Sequence, residues 1–446
     1  MSEFAGAEPR HLDATSVLTL FLLTAAVPTS LTFTAIGALG RPIILVSLAM
    51  FAWWLGHSIQ RPFRQQTGMQ PMRWPLGAFV CVVAASYAAA MLRGLPGTEV
   101  SPADTALLRV AAWCGIFLVA HDGLSTWASL TAVLRRVVLT GTLMAMLGLA
   151  QFATKNSLLG WFVVPGMSGD GVGIDQRGGF VRAAGTASHP LEYGVVLCVT
   201  LPLAVAFGMA DRDRGVVRRW FPAVLIGTAS VLSVSRSALI AVAVAMLVLA
   251  ASWTRRQRTI AGIGGAILMA TVYVAVPGMA GTLVGMFMGA SQDPSIASRV
   301  NGADVAFAMA GRLPLFGRGF GTMLPTYAYL DNQYLGILVE LGFVGLCIVI
   351  ALFATAIILA WRGRRLVAPP LSSKLGAGLA AGISSAAVAF TFFDALSFPL
   401  SAAFMFLMLG VAGAYWRLVR TQALAPSDGP ASMTAPTTEP FDSGGD

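Results

Sequence analysis

Charge is scarce in this sequence: of 446 residues, 11% are Asp, Glu, Lys or Arg, while 56% are hydrophobic. So little polar surface cannot coat a water-soluble globule of this length, which excludes a soluble enzyme and leaves the bilayer as solvent. Lysine is nearly missing. Lys155 and Lys374 are the two lysines among 29 basic residues, so the formal charge of +9 is carried by arginine. These arginines are scattered over short loops rather than gathered in one stripe, which argues for membrane topology and against a nucleic-acid partner. Cys81, Cys114, Cys198 and Cys347 each fall inside an apolar run with no CxxC spacing, so neither a disulfide framework nor a zinc site is indicated and no metal is expected. No HExxH, Walker or nucleophile-elbow pattern is present, which removes the soluble hydrolase and ATPase chemistries.

Long apolar runs are abundant. A spanning helix needs about 20 mostly apolar residues, because each backbone amide in hydrocarbon must be satisfied within its own segment. Runs near 16–39, 42–56, 74–92, 105–120, 133–153, 190–209, 220–235, 237–253, 260–276, 333–360, 374–392 and 397–416 qualify, which predicts an all-α, polytopic membrane bundle of about twelve transmembrane helices. With the N-terminus inside, 19 of the 29 basic residues fall on cytoplasmic segments, as the positive-inside rule requires. Residues 1–15 then form a cytoplasmic N-terminus and 16–416 the bundle. Residues 417–446, rich in Pro, Ser, Thr and acids, form a disordered cytoplasmic tail. Glu3, Glu8 and Asp13 dilute the basic start that a cleavable signal needs, so the first span is expected to remain attached.

Two predicted external segments, near 154–189 and 277–332, are longer than ordinary connections, and such loops usually carry function. The first places Arg177, Arg182, His189 and Glu192 just before a span. His189 reads as a base, an anion contact or simply a His-Pro turn opening a helix, and Glu192 needs a partner for which Arg182 is the natural choice. The second has a predicted short helix over 295–310 carrying Arg299, then GRGFG around Arg318, then Asp331-Asn332-Gln333 at the mouth of a long apolar helix. Asp331 is placed either to accept a proton from a substrate hydroxyl or to cap that helix. Glu340, deeper in the same helix, shares a face with Gln333 and Gly336 and predicts a seam facing the bundle, since a lipid-facing carboxylate is expensive. Arg236, where two short spans meet, either reaches interfacial phosphate from a tight turn or holds a charged substrate. Arginine's planar fork suits pyrophosphate. Asp394 reads as a turn residue.

The stretches RAAGTASHPLEYGVVLCVTLPLA, SVSRSALIAVAVAMLVL and RLPLFGRGFGTMLPTYAYLDNQYLGILVELGFVGL resemble, in pattern and order, three signature regions of the O-antigen ligase and polymerase family. The resemblance covers roughly residues 130–360. It implies a GT-C-like bundle in the inner membrane, both termini cytoplasmic, with the active site beneath a large external loop before the third-last transmembrane helix. The implied activity is transfer of glycan from an undecaprenyl-pyrophosphate carrier to an acceptor hydroxyl of a glycan or lipid, without nucleotide sugar, metal or other cofactor. Residue by residue, Arg182 matches the family's Arg-x-x-Gly-Thr region, with Arg236 or Arg299 as the second phosphate contact. The family's His before the Asn of the last motif is replaced here by Asp331 before Asn332.

Together these readings expect Asp331 as the base, with Arg182, Arg236, Arg299, His189, Arg318 and Asn332 around the pyrophosphate and glycan, and Glu192 and Glu340 in support. The alternative is a transporter or flippase for lipid-linked or anionic sugars, in which the arginines bind and the two glutamates carry protons.

Overall fold

The computed structural model describes residues 13–60, 70–169, 175–177, 179–288, 294–367 and 370–424. Its apolar runs become helices in chain order: α1 (Ala14–Thr24), α2 (Pro42–Gln60), α3 (Arg73–Arg93), α4 (Gly97–Gly123), α5 (Trp127–Thr154), α6 (Pro190–Ala210) and α7 (Val216–Leu232). There follow α8 (Arg236–Ala250), α9 (Arg255–Ala275), α10 (Met279–Met288), α11 (Pro294–Ala310), α12 (Gln333–Gly363), α13 (Pro370–Ala389) and α14 (Pro399–Leu424). Two small antiparallel ladders interrupt the all-α expectation: β1 (Thr32–Phe33) with β2 (Met167–Ser168), and β3 (Asp175–Arg177) with β4 (Phe180–Arg182).

Among the described residues, eight helices are long and apolar enough to cross a membrane, fewer than the twelve expected. The run 16–39 yields an 11-residue helix, α1, about 16 Å long at 1.5 Å per residue. The chain then turns irregular around Pro28, and its backbone groups are taken up by the protein: Thr29 N–H donates to Thr186 O at 2.9 Å. Non-helical backbone at membrane depth survives where protein encloses it. Helix α8 has 15 residues, and α7 has 17 with two arginines near its start. Helix α13 is buried along most of its length against α6, α8 and α12, so it needs no lipid-facing apolar surface. The expected tail from 417 is corrected in part: α14 runs on to Leu424, while 425–446 and the N-terminal residues 1–12 lie outside the described residues.

The core is built where α6, α13 and α14 meet, helices whose residues are almost all enclosed. At one end of the bundle the connections are short and arginine-rich, held by Arg73 to Asp122 at 2.8 Å and Arg135 to Asp211 at 2.5 Å. The other end carries the long segments before α6 and α12, with α10, α11 and the hairpin β3–β4. We refer to it as the loop end.

One device fixes the loop end. Helix α12 breaks at Gly342, whose φ of 69° is left-handed. The freed backbone groups are met by the Pro-Leu-Phe-Gly-Arg-Gly segment: Phe343 N–H donates to Pro314 O at 2.8 Å, Arg318 N–H to Val339 O at 2.9 Å and Gly319 N–H to Glu340 O at 3.1 Å. The fit excludes side chains. A Cβ at Gly342 would lie 2.3 Å from Leu315 O, and one at Gly317, also at positive φ, 2.3 Å from the Glu340 carbonyl carbon.

Candidate active site at the loop end

His189 is the N-cap of α6, and its Nδ1 accepts the backbone N–H of Leu191 at 3.1 Å. With Nδ1 occupied as an acceptor, the neutral ring carries its proton on Nε2, so His189 faces a ligand as a donor rather than as a base. Burial, and then the charge of Arg182, pull its pKa below the usual histidine value, while Asp175 and Asp331 act the other way. The ring therefore stays neutral near pH 7 and lies in the field of both Arg182 and Asp331. These residues, 149 positions apart in sequence, act on one imidazole at the same end of the bundle.

Arg182 is positioned by the hairpin, whose register sets Asp175 opposite it. The two side chains pair at 2.6 Å, with Arg182 12% exposed and Asp175 44%. Among the described residues the Arg182 Nε is buried with no hydrogen-bond partner, leaving part of the fork unused. The segment from 183 to 188 that joins Arg182 to His189 is held by Gln151 of α5. Its Oε1 accepts from Gly185 N at 2.8 Å and its Nε2 donates to Gly185 O at 2.9 Å.

Asn332 is the N-cap of α12, accepting from Tyr334 N at 2.9 Å and Leu335 N at 3.3 Å. That corrects the reading of Asp331 as a cap: its neighbour does the capping, and Asp331 is released one residue outside the helix, at φ 45°. A non-glycine residue in the left-handed region is uncommon, though Asp tolerates it better than most, and such strain concentrates at functional sites. The next residue, Gln333, anchors the turn from below by accepting Leu396 N–H at 2.7 Å.

Arg299 of α11 donates to Phe392 O at 3.2 Å and lies over the Phe392 ring at 5.8 Å. It thus reaches the turn between α13 and α14, where Asp394 sits. Burial raises the Asp394 pKa, Ser397 lowers it by a hydrogen bond, and the charge of Asp331, near enough to act on it, raises it again. Arg236 opens α8, whose N-cap Ser235 accepts from Ala238 N at 3.5 Å. Because Ala238 lies against Gly194 of α6, the first turn of α8 stands beside the turn that begins with His189. Arg182, His189, Arg299 and Asp331 are therefore gathered with Asp394, and Arg236 borders them.

Glu192 and Arg318 depart from expectation. Glu192 is fully buried but does not pair with Arg182: its Oε2 accepts from Thr29 Oγ1 at 3.0 Å and from Ser188 N and Oγ at 2.9 Å each, and its Oε1 from Leu400 N at 2.7 Å. It is a clamp joining the segment around Thr29 to the starts of α6 and α14. Glu340 accepts Met323 N–H at 3.0 Å, holding the loop that packs into the α12 break. Arg318 is drawn away from the site to Glu99 of α4 at 2.5 Å, beneath the Tyr327 ring at 4.8 Å. Sequence reading missed Asp175, Gln151, Thr29 and Glu99. Gln151 was findable as an amide isolated in an apolar run, and Glu99 as an acid beside one. Asp175 depends on hairpin register, which needs the fold.

The described residues contain no group of three or more His, Cys, Asp or Glu side chains able to hold a metal ion. No curated protein matches the chain. Residues 221–350, from α7 through the break in α12 and including Arg236, Arg299 and Asp331, match the O-antigen ligase family. Arg182 and His189 precede the matched stretch, yet the fold brings them to it. The resemblance read from the residues is supported over residues 221–350, which are similar to the O-antigen ligase family.

Proposed function

We propose that the chain transfers glycan from a polyprenyl-pyrophosphate carrier to an acceptor hydroxyl at the loop end, which we read as the external face of the inner membrane. The observation that carries this is that Arg182 and the uncapping carboxylate of Asp331 both act on His189, with Arg299 at the neighbouring turn between α13 and α14. Asp331 takes the proton of the acceptor hydroxyl. The oxygen then attacks the anomeric carbon, the bond from that carbon to the pyrophosphate oxygen breaks, and the carrier leaves as a pyrophosphate. A single displacement of this kind inverts the anomeric centre. Arg182 and Arg299, with Arg236 bordering them, neutralise the charge that develops on the leaving group, and preorganised donors outside bulk water are strong at that task. His189 adds a hydrogen bond from Nε2.

An aspartate is a weaker base than the family's histidine. The test is reconstitution of the purified protein in liposomes with a labelled polyprenyl-pyrophosphate oligosaccharide and an unlabelled acceptor. A new glycosidic bond supports transfer. Movement of label across the bilayer without a new bond means a transporter and overturns the proposal.

A further inference from the structure

The end of the bundle opposite the site gathers three cations that pair with no acid. Helix α13 runs antiparallel to α6 in close backbone contact: a Cβ at Gly382 would meet Val199 O at 2.9 Å, and one at Gly378 would meet Pro202 O at 3.2 Å. The preceding turn of α13 carries Lys374, which this register sets beside the end of α6 and Arg212 just past it. On its other side α13 abuts α12, where a Cβ at Gly376 would lie 2.8 Å from Ala360 O; this brings Arg364, one turn on, level with the start of α13. Arg212, Arg364 and Lys374 thus converge from three elements, and both arginines act on the lysine's charge. Among the described residues none of the three forms an ion pair with a carboxylate: Asp211 is taken by Arg135 and Arg214, and Asp213 is exposed and pairs with none of them. The Arg364 guanidinium lies over the Trp361 ring at 3.7 Å, and among the described residues its buried Nε has no hydrogen-bond partner.

We propose that Arg212, Arg364 and Lys374 hold the phosphate of an anionic phospholipid, in a headgroup site at the arginine-rich end that is separate from the transfer reaction. Cations clustered between helix ends attract anionic headgroups at the membrane surface. That the anion belongs to a lipid follows from α12, whose exposed residues Phe343, Cys347, Ile350, Ile358 and Arg362 recur at helical spacing in one stripe running to that end. The stripe offers acyl chains an open apolar wall, and Trp361 stands at its edge, where an indole suits the interface. Arg364, stacked on that indole, therefore meets a headgroup whose tails lie along α12. The bound headgroup ties together the near ends of α12 and α13, whose far ends carry Asn332 and the Asp394 turn.

Native mass spectrometry and thermal unfolding of the full chain in detergent test this, with phosphatidylglycerol, zwitterionic phosphatidylethanolamine and inorganic phosphate as probes. Phosphatidylglycerol should be retained in preference to phosphatidylethanolamine and should raise the unfolding temperature. Lys374→Gln and Arg364→Gln should each weaken its binding about fivefold, the effect of one cation near a membrane surface. Arg212→Gln, on an exposed turn, should do the same and keeps the test available if Arg364→Gln does not fold. Arg256→Gln, at the start of α9, should leave binding unchanged, which separates this site from diffuse positive charge. None of these readouts requires transfer, so their failure leaves the proposed function standing. Equal binding of the two lipids overturns the proposal, as does inorganic phosphate binding as tightly as phosphatidylglycerol. Unchanged binding in all three site variants, or an equal loss in Arg256→Gln, overturns it too.

Discussion

Removing the Glu192 carboxylate should unfasten the loop end before it touches chemistry. In Glu192→Ala, Leu400 N–H and the Thr29 and Ser188 hydroxyls lose their acceptor; the hydroxyls can rotate, Ser188 N–H keeps Thr29 Oγ1 at 2.7 Å, and the fixed Leu400 N–H is left orphaned in a buried setting. One orphaned buried donor costs about 1–3 kcal/mol. The space left by the side chain adds roughly 1–2 kcal/mol, because the packed surroundings close it incompletely. The expected loss is therefore about 2–5 kcal/mol. Glu192→Gln should recover little of it, since one oxygen faces three donors and the other faces Leu400 N–H, so the amide NH₂ must confront a donor in either orientation. The assay is thermal unfolding of purified variants in detergent, read as loss of monodisperse protein on size exclusion. Both variants should unfold several degrees below wild type. A Glu192→Ala protein as stable as wild type would refute the clamp, and if it had also lost transfer, Glu192 would belong to the catalytic machinery instead.

Other outcomes follow from the same geometry. Because His189 has a lowered pKa in the fold, the unfolded chain takes up its proton first as pH falls, so stability should drop as pH falls below about 6.5. Exchanging His189 for Asn, which keeps a capping acceptor, should flatten that dependence in unfolding measured across pH. Gly342→Ala places a Cβ against Leu315 O at positive φ and should cost roughly 3 kcal/mol or more, seen as lost folded yield. Gly94→Ala, also at positive φ but with open space around it, should cost about 1 kcal/mol. Asp175→Asn should leave unfolding within about 1 kcal/mol of wild type, because the pair is half open to solvent, yet free the Arg182 fork and tighten inhibition by inorganic pyrophosphate.

Much of the bundle was legible because its driving pattern is coarse: apolar runs of spanning length gave α2 to α6, α9, α12 and α14 to within several residues at most of their ends. The α11 helix was read over 295–310, within a residue of its Pro294–Ala310 bounds. What failed was depth. The run 16–39 is apolar enough to span, but Pro28 and Thr29 turn it back to meet Glu192, a contact between residues 163 apart that no local pattern announces. The site was legible as a list and not as a map. Asp331, Arg182 and His189 stood out by type and place, whereas their grouping depends on hairpin register and on Asn332 taking the cap. Arg318 looked equivalent to the other arginines until Glu99, buried in the first turn of α4, claimed it.

The account rests on Asp331 as the group that takes the acceptor's proton, and the most direct measurement is the rate of glycan transfer by Asp331→Asn and Asp331→Gly beside wild type. Asparagine tolerates the left-handed turn and glycine relieves it, so both proteins should unfold no lower than wild type. The account predicts that each transfers on the order of 10² to 10⁴ times more slowly. Transfer at the wild-type rate by either folded variant would contradict it.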